Sequence, residues 1–115
     1  MKTKTSGEFA LRETIDDLGR RGFTGHFGVT ANGLREFGTG VTFQATELRI
    51  CDWFRVEDSS DPGDMAIVYV IESETGVRGT LIDAFGVYSD PAISEFMTRV
   101  AIGRGAGSGG RVRAA

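Results

Sequence analysis

Cysteine, histidine, proline and tryptophan are nearly missing from this chain of 115 residues, which has one Cys, one His, two Pro and one Trp. A lone Cys51 excludes an internal disulfide and any zinc site built on paired cysteines. A lone His26 excludes most zinc constellations, because the ligands would have to come mainly from carboxylates. No apolar run approaches the roughly 20 residues that span a bilayer. The opening Met1-Lys2-Thr3-Lys4 leads into Thr5-Ser6-Gly7-Glu8 rather than an apolar signal core. The expected placement is cytoplasmic, with no membrane contact.

Lysine is also scarce, and the charge is unevenly spread. The net of −3 hides a body, residues 5 to 103, with eight arginines against all sixteen acids, a net of −8. Lys2, Lys4, Arg104, Arg111 and Arg113 sit outside it. A body that acidic repels phosphate backbones, so nucleic acid is not expected to bind the folded surface. The length suits one domain with one core, needing neither disulfide nor structural metal.

What is present is a helix, a run of strands and a second helix. Leu11, Ile15 and Leu18 form an apolar stripe from Gly7 to Arg21, with Thr5 and Glu8 at capping-box spacing and Gly22 as the stop. Phe23 to Thr30 alternates as a half-exposed strand, and Asn32-Gly33 gives a strong hairpin signal into Leu34–Phe37. Gly38-Thr39-Gly40 reads as a bulge or kink before Val41–Phe43, and Ala45–Leu48 as one helical turn. Arg49 to Glu57 is a third long strand, with Ile50, Phe54 and Val56 on one face and Cys51 and Trp53 on the other. Met65–Ile71 is apolar on both faces, as an inner strand is, and pairs through the Ser73–Gly76 turn with Arg78–Val87. Asp90-Pro91 opens the last helix, with Ile93, Phe96, Met97, Val100 and Ala101 as its stripe and Gly103 as its stop. The expected fold is α+β: an antiparallel meander of four to five strands with both helices on one face. Residues 5–103 form the domain, and the Gly/Arg-rich 104–115 is a disordered tail.

Chemistry-bearing residues are few. Asp83 is the main polar anomaly, a carboxylate on the face of Leu81 and Phe85, with Arg55 and Arg78 as expected partners. Glu57, Asp58, Asp61 and Asp64 crowd one loop without calcium-loop spacing, so a solvated turn is expected and no metal site. Ile67 to Thr80 superficially suggests a phosphoribosyl-pyrophosphate loop. Its acids are not adjacent, and the loop feeds a strand where that chemistry needs a helix. Gly38-Thr39-Gly40 lacks the third glycine and the helix of a dinucleotide fingerprint, and no cofactor is expected. His26 reads as surface and Cys51 as a buried thiol, which argues against a nucleophile–base pair between them.

Leu18 to Phe23, Arg55-Val56-Glu57 with Asp61-Pro62-Gly63-Asp64, and Gly79 to Asp90 together resemble a small bacterial protein family. Its members, about this long, often carry the label phosphoribosylpyrophosphate synthetase. The resemblance covers most of residues 10 to 102. It implies recurring polar positions at Arg55, Glu57, Asp61, Asp64, Asp83 and Tyr88. The synthetase activity is not carried over, since those enzymes are far longer, with two parallel-sheet halves.

The functional expectation is a non-catalytic binding or interaction domain that self-associates through a sheet edge or an uncovered face, with Cys51 and Trp53 on the exposed patch. The alternative is a small-molecule or phosphate-ester site, enzymatic or not, built from Arg55, Asp64, Asp83 and Tyr88.

Overall fold

A computed structural model describes residues 6–57, 66–84, 90–103 and 111–113. Helix α1 (Ser6–Arg20) is followed by strands β1 (Gly25–Thr30), β2 (Gly33–Glu36) and β3 (Thr42–Phe43). A single 3-10 turn, Ala45–Glu47, leads to β4 (Leu48–Glu57), β5 (Ala66–Ser73) and β6 (Arg78–Ala84). Helix α2 (Pro91–Met97) and the short strands β7 (Ala101–Ile102) and β8 (Arg111–Arg113) complete the order.

Local chemistry sets the ends. Gly22 takes φ +102°, and the N–H groups of Gly22 and Phe23 reach back to the carbonyls of Gly19 and Leu18, both at 3.0 Å. That pair of bonds caps α1 and swings Phe23 onto Leu18 in the core beneath it. The Asp90 side chain accepts from the Ala92 N–H at 2.9 Å, and Pro91 opens α2. Ser73 Oγ accepts from the N–H groups of Thr75 and Val77, closing the β5–β6 turn.

The expected antiparallel meander of four to five strands is overturned. The described strands form one eight-stranded mixed sheet, in the order β3-β2-β1-β6-β5-β4-β7, with β8 also paired to β4. The sheet curls into a half-barrel. Parallel contacts join β1 to β6 and β4 to both β7 and β8, while the remaining neighbours are antiparallel. The β1–β6 junction is two residues long, Gly25 opposite Gly79 and His26 opposite Thr80. A Cβ on Gly79 would stand 2.3 Å from the Gly25 carbonyl oxygen, so glycine is what lets these backbones meet.

The helices take opposite faces, a second correction. Leu11, Ile15 and Leu18 of α1 pack with Val56, Val68 and Val70. Phe96 and Met97 of α2 pack with Ile50, Ile71 and Leu81, on the larger core that also holds Phe27, Leu34 and Phe43. An inner strand that is apolar on both sides serves both layers: Val68 and Val70 face α1, Tyr69 and Ile71 face α2.

Helix α2 stops at Met97, earlier than the stripe suggests. The Thr98 hydroxyl donates to the Glu95 carbonyl at 2.7 Å, and a turn places Val100 in the core before β7 begins. The Thr5 cap, the acidic loop and the end of the expected Arg78–Val87 strand fall outside the described residues. Most of the expected tail does too; within it, Arg111–Arg113 runs parallel to β4.

Candidate functional site

The face of the sheet beneath α2 carries an apolar groove of about 340 Å³. Its floor is Ile50 and Trp53 of β4 with Ile67 and Tyr69 of β5; Ser94, Met97 and Thr98 of α2 form one wall, and Ile102 of β7 stands at the rim.

A bulge in β4 makes this floor. Ile50 lies opposite Ile71 and Asp52 opposite Val70, so Cys51 is the extra residue and the alternation slips by one. Trp53 therefore joins Ile50 on the α2 side, while Cys51 turns to Phe54 and Val56 on the α1 side. The expected division of β4, with Cys51 and Trp53 together, is corrected by that one residue. The Asp52 carboxylate accepts the Trp53 backbone N–H at 2.8 Å and fixes the bulge.

Two cross-strand rows order the site. Arg55, Ile67 and Asp83 lie opposite one another across β4, β5 and β6, and Trp53, Tyr69 and Leu81 form the next row on the same face, two residues along. Arg55 and Asp83 are thus two strand spacings apart, about 10 Å between backbones, with Ile67 between them. Asp83 is 5% exposed and accepts the backbone N–H of Asp90 at 3.0 Å. The other expected partner, Arg78, is engaged elsewhere: its Nε donates to Glu72 at 3.2 Å. Asp64 and Tyr88 fall outside the described residues, so two members of the four-residue candidate set, Arg55 and Asp83, are placed, sharing a row without adjacency.

Tyr69 sits between apolar and charged surroundings. Burial pushes its phenol above the ordinary tyrosine value, and the charge of Asp83 pushes the same way. It is a neutral hydroxyl across the ordinary pH range. Charged side chains are absent from the described lining of the groove, so the surface suits an uncharged apolar group with a few polar atoms.

The opposite face holds a different cluster. Glu72 accepts from Arg49 and Arg78, and the Arg49 hydrogen bond is the main cause that lowers its carboxyl below the ordinary range. Cys51 Sγ lies 3.9 Å from Glu72 Oε1, and burial pushes the thiol up, away from nucleophilic thiolate. His26 is exposed on β1, three strands from Cys51 and about 14 Å away at ordinary strand spacing. The pair does not meet.

Sequence reasoning passed over Glu36, which is 5% exposed. Its carboxylate accepts the N–H groups of Gly38 and Thr39 at 2.9 and 2.8 Å and the Thr39 hydroxyl at 2.9 Å. Its position two residues before Gly38-Thr39-Gly40 was the available signal. Tyr69 and Met97 were legible as core but not as groove lining.

Among the described residues no cluster of three or more His, Cys, Asp or Glu side chains is arranged to hold a metal ion. No described helix is long and apolar enough to cross a membrane. Comparison of the chain with protein-family models, curated proteins and solved structures finds no match.

Proposed function

We propose that this chain is a non-catalytic binding domain whose ligand seats an uncharged, largely apolar group in the groove between α2 and the sheet. The carrying observation is the groove itself, of about 340 Å³, with Trp53, Tyr69, Ile67 and Met97 facing one space. Pockets of a few hundred Å³ lined mainly by apolar and aromatic side chains are the usual form of small-ligand sites. A phosphate-ester site on Arg55, Asp64, Asp83 and Tyr88 is the second reading, favoured by the shared Arg55–Asp83 row. The Asp83 carboxylate opposes it, because a negative charge beside an anionic ligand is repulsive.

Trp53 is the chain's one tryptophan, so its fluorescence reports the groove directly. Titration with a neutral aromatic probe, N-phenyl-1-naphthylamine, is expected to change Trp53 emission in a saturable way and to raise Tm by mass action. Ser94→Phe, which fills the groove from its exposed helical wall, is expected to abolish the response while the protein stays folded. A response that survives the plug, or a wild-type chain with none, defeats the reading. A sugar-phosphate panel that raises Tm in wild type but not in Asp83→Asn supports the second reading instead.

A further inference from the structure

The outer edge of β4 is covered by two separate pieces of chain. β7 pairs in parallel with Arg49 and Ile50, and β8 pairs in parallel with Arg55, Val56 and Glu57. Between them the edge is closed by its own residues, because the bulge falls at Cys51 and the Asp52 carboxylate takes the Trp53 N–H. Such bulges and side-chain caps blunt an edge against strand addition. In the described register the one irregularity of β4 lies between Ile50 and Asp52, away from the 55–57 end, and β8 is what pairs there.

β8 is held modestly. It spans three residues in parallel pairing, the weaker ladder per residue.

The connection to β8 is also longer than its path. Ile102 lies opposite Ile50, and Arg111 lies opposite Arg55. Measured on β5, those rows are separated by the four steps from Ile71 to Ile67, about 13 Å at ordinary strand rise. Nine steps of chain, from 102 to 111, reach about 30 Å when extended. Chain length therefore does not tie β8 to its own β4, and every copy presents the same acceptor edge.

We infer that the 55–57 edge of β4 accepts residues 111–113 of a second copy as well as its own, so that two chains exchange C-terminal strands. The exchange is reciprocal, which closes the assembly at two. With the full connection, the high effective concentration of a tethered strand favours the chain's own β8 in dilute protein. Crowded or shortened chains pair in trans. The inference is independent of the groove, which lies on the sheet face rather than its edge.

Deleting residues 104–110 leaves two steps between Ile102 and Arg111, at most about 7 Å, which cannot bridge the rows. Light scattering is expected to give twice the chain mass for this deletion and a single chain mass for truncation after Gly103. A deletion variant that is monomeric overturns the inference, and so does a truncated chain that is equally dimeric. A second measurement uses the full-length chain with Cys51→Ser. Concentrated Arg55→Cys and Arg111→Cys chains are mixed under mild oxidant, and the mixed disulfide is expected to exceed both self-pairs together. A statistical distribution of the three products overturns it.

Discussion

The Asp83 carboxylate accepts the backbone N–H of Asp90 at 3.0 Å, joining an inner strand to the residue that caps α2. Asp83 holds the start of the helix that walls the groove, and Asp90 in turn accepts from Ala92. A buried hydrogen bond to a charged acceptor contributes about 1.5–3 kcal/mol. Asp83→Ala is expected to cost about that much in urea denaturation. Asp83→Asn keeps a carbonyl acceptor and is expected to cost less than half as much. Equal losses in the two variants would show that the charge, and not the bond to Asp90, is what matters.

Much of this fold is readable from local chemistry. The Ser73–Gly76 turn, the Asp90-Pro91 helix start and the Leu11/Ile15/Leu18 stripe each depend on side chains a few residues apart, and each is where the pattern puts it. The first hairpin forms as well, but its turn is Ala31-Asn32 rather than Asn32-Gly33: Thr30 lies opposite Gly33, and of the expected pair Gly33 alone takes a positive φ. The parallel β1–β6 contact is not readable in that way. It joins Gly25 to Gly79, and nothing in a strand's own alternation names a neighbour that distant. Without it, four strands in chain order look like a meander. The opposite placement of the helices was hinted at by the apolar run through Val68, Tyr69, Val70 and Ile71, which needs cover on both sides. The site was harder still, because one bulge at Cys51 decides that Trp53 faces α2. Bulges carry a weak sequence signal when no glycine marks them.

Glu36 links the fold to pH. Hydrogen bonds from the Thr39 and Gly38 backbone lower its carboxyl below the ordinary value of 4.5, against the opposing effect of burial. A depressed folded-state pKa gives stability that is present above the unfolded value and is lost as pH falls through the folded one. Glu36→Gln is expected to lower stability at neutral pH by about 1–3 kcal/mol. The gap between variant and wild type should close as the pH falls through the depressed folded-state value of Glu36. Urea midpoints compared at the two pH values decide it. A gap that persists in acid means the loss is one of packing rather than of the carboxylate's bonds.

Thr80 poses the reverse case. Its side chain is 2% exposed, and its Oγ1 is buried without a hydrogen-bond partner. An unmet hydroxyl in a core costs about 1–3 kcal/mol. Thr80→Val keeps the β-branched shape and removes the unmet group, so it is expected to raise stability by about 1 kcal/mol. Calorimetry would register this as a higher Tm. A fall in Tm would reveal that the hydroxyl does contribute to holding the β1–β6 junction.

Two glycines test that junction against a neutral control. At Gly79 a methyl group would meet Gly25 backbone atoms at 2.3, 2.5 and 2.8 Å, and backbone on both sides leaves no flexible side chain to move away. At Gly19, inside α1, a methyl group would meet nothing within 4 Å. Gly19→Ala is expected to stabilise by about 0.5–1 kcal/mol through helix propensity and a less free unfolded chain. Gly79→Ala is expected to cost about 3 kcal/mol or more, because the parallel pairing of β1 with β6 must open to admit the Cβ. Hydrogen exchange separates a local opening from a general loss. Amides of β1 and β6 near His26 and Thr80 should lose protection first in Gly79→Ala, while the β4–β5 ladder keeps its own. Uniform loss across both ladders would mean that the half-barrel opens as one unit, with no separable seam at Gly25 and Gly79.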